Sequence, residues 1–485
     1  MEPIKKLDKR IKVSRWWKGT VIKEVDIYSF LIMNTFREVG SVHVRNILDP
    51  AGEKHATSFS VRLRRQGERM YCKVRIININ RPQFRLTMIS LAKKGYEVLS
   101  EDLKILESRP FKTQQPLSVS LHRLTMLDAV SKMIGAAYQR SGIIMDRDSV
   151  VIQTAELSTR WFIFESWEAA ALETVEEGEH IFPVAVRRVE DTEEYIYLDL
   201  QCINPYLYPY VRLLNGGIKT DETIIKPDWI LKLNERVINI EIDTGTENLN
   251  RLKEKLDDYR LLLNEAPYKK FDHSIYFICA DETARAVNVT NKIQRIRTMK
   301  RTLSEHPTFI EEDIELFILP LKRAGEVFQE HNYNVSGIRA QHHKTQFLRE
   351  LFEGMKFIPS VTSKFYFEFE QKKEIEEELS LADYELLIKR KSKDREFSYI
   401  AILYMQEGSV RDYVRLKNLN QLTQDSRFDV EVYAIYNSHD SIEYDGLINS
   451  LPLHERVFLT SIEDLSNVEG DYKIYTNKLK VVPFI

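Results

Sequence analysis

Three carboxylates stand at positions where they could do chemistry together: Asp228, Glu241 and Asp243. Two short runs rich in apolar residues, 229–233 and 237–242, predict two strands joined by the turn Asn234-Glu235. Asp228 then lies at the mouth of the first strand, and the other two acids share one face of the second, because side chains alternate along a strand. Converging carboxylates repel, so such a cluster either binds a cation or pairs with basic side chains.

The elements around these acids predict an α/β or α+β domain built on a mixed sheet. A helical pattern covers residues 249–263, and the apolar run 273–280 predicts a buried strand after it. Before the hairpin, the pattern predicts helices at 119–139 and 167–176 and strands at 149–153, 161–165, 182–189 and 193–202.

This hairpin resembles the PD-(D/E)XK nuclease fold, in which an acidic pair holds the Mg²⁺ that activates water against a phosphodiester. Pro227-Asp228 matches the leading PD of that pattern, and Glu241 matches its second acid. The lysine that follows two positions later in the family is Asp243 here, and Lys253 or Lys255 of the next helix could take its place.

The resemblance leaves two interpretations of the domain. If the site is active, Asp228, Glu241, Asp243 and Lys255 are its catalytic candidates, with Asp228 and Glu241 holding Mg²⁺ or Mn²⁺. If the site is inactive, the domain is a nuclease-like scaffold with no cofactor.

The charge of the chain is strongly polarised along its length. Residues 1–100 carry 21 Lys and Arg against 9 Asp and Glu, a net charge of +12, whereas the remainder carries −15. One basic end on an acidic body points to a polyanion-binding module, or else to a solvated basic surface.

The basic end has the order of elements that is typical of a winged helix-turn-helix. Helices are predicted at 26–39, 41–48 (with Ser41 as N-cap) and from about Thr57 to 70, and a hairpin follows at 71–88. The third helix would enter the major groove of DNA while the hairpin lies along the backbone. The candidate DNA-binding residues are Arg62, Arg64, Arg65 and Arg69 on the helix, with Arg62, Arg65 and Arg69 as groove contacts, and Arg75, Arg81 and Arg85 on the hairpin. A winged helix that binds protein is the alternative.

Residues 1–25 form a basic arm, in which Trp16 and Trp17 accompany Lys5, Lys6, Lys9, Arg10, Lys12, Arg15 and Lys18. Such an arm could follow a DNA groove, or its tryptophans could pack on the domain.

Two segments together resemble the replication-relaxation family. FRLTMISLAKKGYEVLSE at 84–101 is similar to the end of that family's winged helix. The second signature is matched by Pro227, Asp228, Glu241, Asp243, Gly245, Thr246, Lys255 and Tyr259. The resemblance implies a DNA-binding protein of bacterial plasmids, integrative elements or phages, linked to replication or transfer. Members of that family carry ExD rather than ExK, which favours a binding scaffold.

The C-terminal third is predicted to repeat the order of the middle domain. In that alignment Asp383 corresponds to Asp228, while Ala401 and Leu403 stand in place of Glu241 and Asp243. A second copy without its acids would serve as an interaction lobe. His342 and His343 point to different faces of a helix, so a shared metal site is not expected.

The sequence lacks the motifs that mark several classes of protein. There is no phosphate-binding GxxxxGK[ST] loop, GxSxG elbow or HExxH motif, and the three cysteines form no CxxC pair. No apolar run approaches the ~20 residues of a membrane span, and the first residues lack a signal-peptide pattern. We therefore expect a cytoplasmic protein without a membrane partner.

The sequence predicts four segments: an arm at 1–25, a winged helix at 26–105, a nuclease-like domain at 115–325 and an α/β lobe at 335–485. The expected function is site-specific binding of double-stranded DNA in the replication, transfer or control of a mobile element. Replication or transfer proteins and a second copy of the chain are the expected partners. The alternatives are a Mg²⁺-dependent endonuclease or nickase using Asp228 and Glu241, and a transcriptional regulator.

Overall fold

The structure is a computed structural model. It describes residues 10–11, 22–49, 56–78, 85–102, 111, 119–139, 143–145, 185–188, 195–198, 200–203, 225, 227–233, 236–264, 271–284, 292–307, 314–332, 341–355, 365–369, 383–392, 397–424, 429–445, 451–465, 473–476 and 481–483. The predicted strands at 149–153 and 161–165, the helix at 167–176, most of the basic arm and Arg81 lie outside these residues.

The chain divides into two compact units. The first comprises Met1–Thr290 and Leu321–Tyr333, and the second comprises Asn291–Pro320 and Asn334–Ile485. The four predicted segments divide the chain more finely, and their boundaries stay predictions. Among the described residues, no helix combines the length and the apolar content that a bilayer crossing needs.

Helices and strands are mixed throughout, which confirms the predicted α/β class. Up to residue 279 the elements are β1 (Arg10–Ile11), β2 (Ile22–Lys23), α1 (Glu24–Phe36), β3 (Val39–Gly40), α2 (Ser41–Leu48), α3 (Ala56–Glu68), β4 (Cys72–Asn78), β5 (Arg85–Leu91), α4 (Lys93–Glu97), a π-helical turn (Val98–Asp102), α5 (Leu121–Gln139), β6 (Ile143–Met145), β7 (Ala185–Arg188), β8 (Tyr195–Leu198), β9 (Leu200–Ile203), β10 (Trp229–Leu233), β11 (Arg236–Asp243), α6 (Leu249–Asn264) and β12 (Asp272–Cys279).

The remaining elements follow in chain order. They are α7 (Lys292–Ser304), β13 (Glu315–Pro320), a 3₁₀ turn (Leu321–Arg323), α8 (Ala324–Asn332), α9 (Gln341–Met355), β14 (Phe365–Phe369), β15 (Leu386–Ser392), β16 (Phe397–Tyr404), α10 (Val410–Gln424), β17 (Val430–Tyr436), α11 (His439–Tyr444), β18 (Val457–Ser461), α12 (Ile462–Leu465), β19 (Lys473–Tyr475) and β20 (Val481–Pro483).

The basic end folds as three helices and a hairpin, in the predicted order. Helix α1 ends at Phe36 rather than at the predicted Val39, because Val39 pairs with Ile89 and adds β3 to the hairpin. Strands β3, β5 and β4 then form one antiparallel sheet in that order. Apolar side chains from the helices and from β5 are buried together, among them Phe30, Met33, Leu63, Met88 and Ile89.

The starts of α2 and α3 also differ from the prediction. Gly40, not Ser41, is the N-cap of α2, and its amide donates to Nδ1 of His43 at 3.0 Å. Helix α3 begins at Ala56, so Thr57 and Ser58 lie inside its first turn rather than at its cap.

Helix α5 packs on α2 through polar contacts as well as apolar ones. The Asn46 amide donates to the Ser131 hydroxyl at 3.0 Å, and Nε2 of His43 lies 3.1 Å from the Asp128 carboxylate. His43 and Asp128 are both buried. Since α5 is the helix that precedes the central strands, these contacts join the basic end to the domain that carries the acids.

The central strands form the predicted hairpin and its parallel neighbour. Strands β9, β10, β11 and β12 lie side by side in that order, with β10 antiparallel to β9 and β11 and with β11 parallel to β12. A parallel pair needs a crossover connection, which α6 supplies. Strands β10, β11 and β12 meet the predicted bounds to within one residue. The strand predicted at 193–202 is instead divided into β8 and β9, which belong to different sheets.

The second unit is built on a seven-stranded sheet in the order β14-β15-β16-β17-β18-β19-β20. Strands β15 and β16 are antiparallel, β16 and β17 are parallel, and α10 connects the parallel pair. This is the order and orientation of β10, β11, α6 and β12 in the first unit. That the two arose by duplication stays a prediction.

The register of β15 corrects the predicted alignment of the two units. The Glu385 amide donates to the Ile402 carbonyl at 3.0 Å, and its carboxylate accepts from the Tyr404 amide at 2.8 Å. Asp228 makes the corresponding two contacts in the first unit. Glu385 rather than Asp383 therefore matches Asp228, and Leu403 stands in place of Glu241.

Candidate functional site

Asp228 is held against the hairpin by its own backbone and side chain. Its amide donates to the Ile240 carbonyl at 3.0 Å, and its Oδ2 accepts from the Ile242 amide at 2.8 Å. The register pairs Trp229 with Ile240, so Asp228 lies across from Glu241. The two acids come together as the alternation of side chains predicted.

His122, near the start of α5, also contacts Asp228. Its Nε2 lies 3.0 Å from Oδ2 of Asp228, and its side chain is 36% exposed. The hydrogen bond to Asp228 raises the pKa of His122, although burial acts to lower it. Sequence reasoning missed this residue, because nothing in the spacing connects His122 with an acid so far along the chain.

Glu241 is buried between two donors from α6. Oε2 accepts from Nζ of Lys255 at 2.8 Å, and Oε1 accepts from the Tyr259 hydroxyl at 2.8 Å. Residues four apart on a helix share a face, which is why both reach one carboxylate. Burial and then the neighbouring charge of Asp228 raise the pKa of Glu241 to about 7, while Lys255 and Tyr259 act to lower it.

Lys255 bridges two carboxylates. Besides Glu241, its Nζ lies 3.0 Å from Oε2 of Glu247 at the start of the loop into α6. Burial acts to lower the pKa of Lys255, but the charges and hydrogen bonds of Glu241 and Glu247 together outweigh burial, and the net direction is upward. Of the two lysines considered from the sequence, Lys255 rather than Lys253 reaches the acids, so its ammonium neutralises them from inside the protein.

Asp243 shapes the loop that leaves β11. Its Oδ1 accepts from the Gly245 amide at 3.1 Å, and Gly245 has a φ of 81°, in the region where a side chain would be strained. The hydroxyls of Thr244 and Thr246 are 3.1 Å apart in the same turn. Asp243 therefore serves the conformation of the loop.

The described residues do not fit a metal ion at this point. Among them, no group of three or more His, Cys, Asp or Glu side chains is arranged to hold one. Both oxygens of Glu241 accept from protein donors, and Oδ2 of Asp228 accepts from an amide and faces His122. The Mg²⁺ or Mn²⁺ site at Asp228 and Glu241 stays a prediction, and we derive no catalytic step through it.

The predicted arginines of α3 divide into two groups. Arg64 and Arg65 are exposed, as is Arg69 in the turn that follows the helix. Arg62 is instead ion-paired with buried Asp26 of α1: its Nε donates to Oδ1 at 2.7 Å and its Nη2 donates to Oδ2. Its guanidinium thus ties α3 to α1.

The arginines of the hairpin divide in the same way. Arg75 donates from Nε and Nη2 to the two oxygens of Glu38, at 3.1 and 2.8 Å. Arg85 is exposed at the start of β5. Because Glu38 is buried, the Arg75 pair fixes the hairpin to the end of α1.

Three comparisons with known proteins bear on this site. Residues 84–275 match the family model described as Replication-relaxation, the family that the sequence resembles. The comparison with curated proteins found no match. Among solved structures, the central domain of yeast acetyl-CoA carboxylase is similar at 10% identity and a TM-score of 0.18, over 95% of this chain and 67% of that chain. A TM-score this low carries no argument.

Proposed function

We propose that this protein, which carries a replication-relaxation segment over residues 84–275, binds double-stranded DNA with its basic end. The family suggests a role in the replication or transfer of a plasmid or another mobile element. The observation that carries the proposal is the pair of exposed arginines on α3, Arg64 and Arg65, with exposed Arg69 directly after the helix, on the part of the chain with a net charge of +12. In a winged helix this is the helix that enters the major groove.

The acidic site is proposed to be a scaffold rather than a nuclease. Lys255 and His122 supply internal positive partners to Glu241 and Asp228, so these acids have no need of a metal ion to offset their repulsion. A buried carboxylate that already accepts two hydrogen bonds, as Glu241 does, serves packing and position.

The first test measures DNA affinity against salt concentration for the full-length protein and for Arg64→Ala/Arg65→Ala/Arg69→Ala. Each lost phosphate contact should reduce the slope of log affinity against log salt by about 0.9. Arg251→Ala on α6 is the control, since Arg251 is exposed but pairs with Glu254. Unchanged affinity and slope in the triple variant would remove the proposal.

The second test separates a scaffold from an enzyme. Supercoiled DNA is incubated with Mg²⁺, Mn²⁺ or EDTA, beside Asp228→Asn, which keeps the size of the side chain. We expect retarded but uncut DNA in every lane. Metal-dependent nicking that disappears in the variant would instead establish an endonuclease at Asp228 and Glu241.

The third test maps the DNA sequences that the protein protects, which distinguishes a role in replication or transfer from transcriptional control. Protected sequences at an origin or a transfer site are expected from the proposal. Protection confined to promoters would identify a regulator.

A further inference from the structure

One face of α3 is exposed along its whole length. Its other face is buried through Phe59, Leu63 and Gln66, which packs the helix on the domain. The exposed residues recur at helical spacing, so they form a single stripe: Thr57, Ser58, Val61, Arg64, Arg65 and Glu68.

Val61 lies at the centre of this stripe and is 44% exposed. Ser58 precedes it by three residues and Arg65 follows it by four, so all three are neighbours on the surface of the helix. The amino-terminal half of the stripe therefore carries hydroxyls and a branched apolar side chain but no charge. The guanidiniums begin one turn later.

The chemistry of the major groove gives such a side chain a specific partner. Helix-turn-helix proteins place the first turns of their recognition helix against base edges. Of the four bases only thymine presents a methyl group there, and apolar side chains contact it. A short branched side chain that cannot form hydrogen bonds matches that methyl group and no other feature of a base edge.

We propose that Val61 reads the methyl group of a thymine in the major groove. This inference rests on the proposed DNA binding and adds to it a preferred base. Ser58 and Arg65 would flank that base pair, where hydroxyls and guanidiniums can donate to neighbouring bases or phosphates.

The test uses a base that differs from thymine only by this methyl group. Full-length protein first selects its preferred duplex from a random-sequence pool. Each thymine of that duplex is then replaced singly by uracil, and the affinities of the wild type, Val61→Ala and Leu261→Ala are measured. Leu261 on α6 is exposed and lies outside the stripe, so it is the matched control.

We expect one uracil position to weaken wild-type binding about fourfold, the value of one buried methyl group. Val61→Ala should bind the thymine duplex more weakly than the wild type by a similar factor. Its affinities for the thymine duplex and for the duplex with that uracil should be equal. Leu261→Ala should behave as the wild type. Wild-type indifference to every uracil, or an undiminished uracil effect in Val61→Ala, would overturn the inference while leaving DNA binding intact. Bound DNA without any enriched sequence would overturn this inference alone, whereas a protein that retains no duplex of the pool would remove the proposed function and this inference with it.

Discussion

The ring of Phe36 stacks on the indole of Trp229, with centroids 4.7 Å apart and planes inclined by 12°. Phe36 is the last residue of α1 in the basic end, and Trp229 directly follows Asp228 of the acidic site. Nη2 of Arg123 donates to the carbonyls of Phe36 and Glu38, at 3.1 Å each, beside His122. The basic end and the acidic site of the first unit therefore share one core.

Replacing Phe36 should destabilise both parts at once. Phe36→Ala leaves a cavity beside Trp229 and should lower the free energy of unfolding by about 3–5 kcal/mol. Urea denaturation followed by tryptophan fluorescence and circular dichroism measures this loss. Leu261→Ala, at an exposed position, should change it by less than about 0.5 kcal/mol. A Phe36→Ala protein that unfolds at the wild-type urea concentration would show that the stack contributes little.

Removing the charge of Lys255 should leave the buried carboxylate of Glu241 without its ion-pair partner. Lys255→Met should lower the free energy of unfolding by about 3 kcal/mol at a pH near 8, because buried Glu241 then loses its ion-pair partner. The loss should shrink towards pH 5, where Glu241, whose pKa is about 7 in the wild type, accepts a proton instead. Denaturation at both pH values provides the measurement.

Lys253→Met is the matched control for Lys255, since Lys253 is half-buried on the same helix. It should change the free energy of unfolding by less than about 0.5 kcal/mol. Equal effects of the two substitutions would mean that helix α6 needs a lysine stem and not the ion pair.

His122 should make stability fall as the pH rises. The hydrogen bond to Asp228 raises the pKa of His122 in the folded protein. The contribution of His122 to the free energy of unfolding is therefore complete below its unfolded pKa of about 6.5, and it disappears as the pH rises through the folded pKa. His122→Gln should therefore cost more at a pH of about 5.5 than at about 8.5. We expect a difference of at most ~1 kcal/mol, because the side chain is partly exposed.

A double-mutant cycle identifies the partner of His122. In an Asp228→Asn background the substitution of His122 should lose its pH-dependent cost, because the charge that raises the pKa is gone. A cost that persists in this background would assign the effect to another acid.

In the second unit, Asp445 collects donors from three elements. Lys300 of α7 donates to its Oδ1 and to its carbonyl, and the Tyr436 hydroxyl donates to Oδ2 at 2.9 Å. The Gly408 amide donates to Oδ1 as well, before the start of α10. Lys300 and Asp445 are both buried, so each charge is stabilised mainly by the opposite charge of its partner.

Lys300→Met should lower the stability of the second unit by about 3–5 kcal/mol, the range found when one partner of a buried pair is removed. Hydrogen exchange of the amides in β16 and β17 reports this loss within the full-length chain. Lys417→Met is the control, because Lys417 pairs with Glu305 at the surface. Unchanged exchange in Lys300→Met would contradict a stabilising role of the pair.

Much of the local structure followed from the order of residue types. Two short runs rich in apolar residues, separated by the turn Asn234-Glu235, placed β10 and β11 to within one residue. The four-residue spacing of Lys255 and Tyr259 put both on one face of α6. The order of helices and strands in the basic end and the replication-relaxation resemblance also came from the sequence.

Tertiary structure alone decided which charged groups meet. Arg62 looked like the exposed arginines of its helix, but Asp26, in an earlier helix, binds it. His122 reaches Asp228 only because α5 packs at the mouth of β10. Strand periodicity places Asp383 and Glu385 on the same face, and the pairing register chose Glu385. Alternation and helical spacing depend on neighbours in the chain, whereas ion pairs and strand register depend on contacts between segments that only the complete fold brings together.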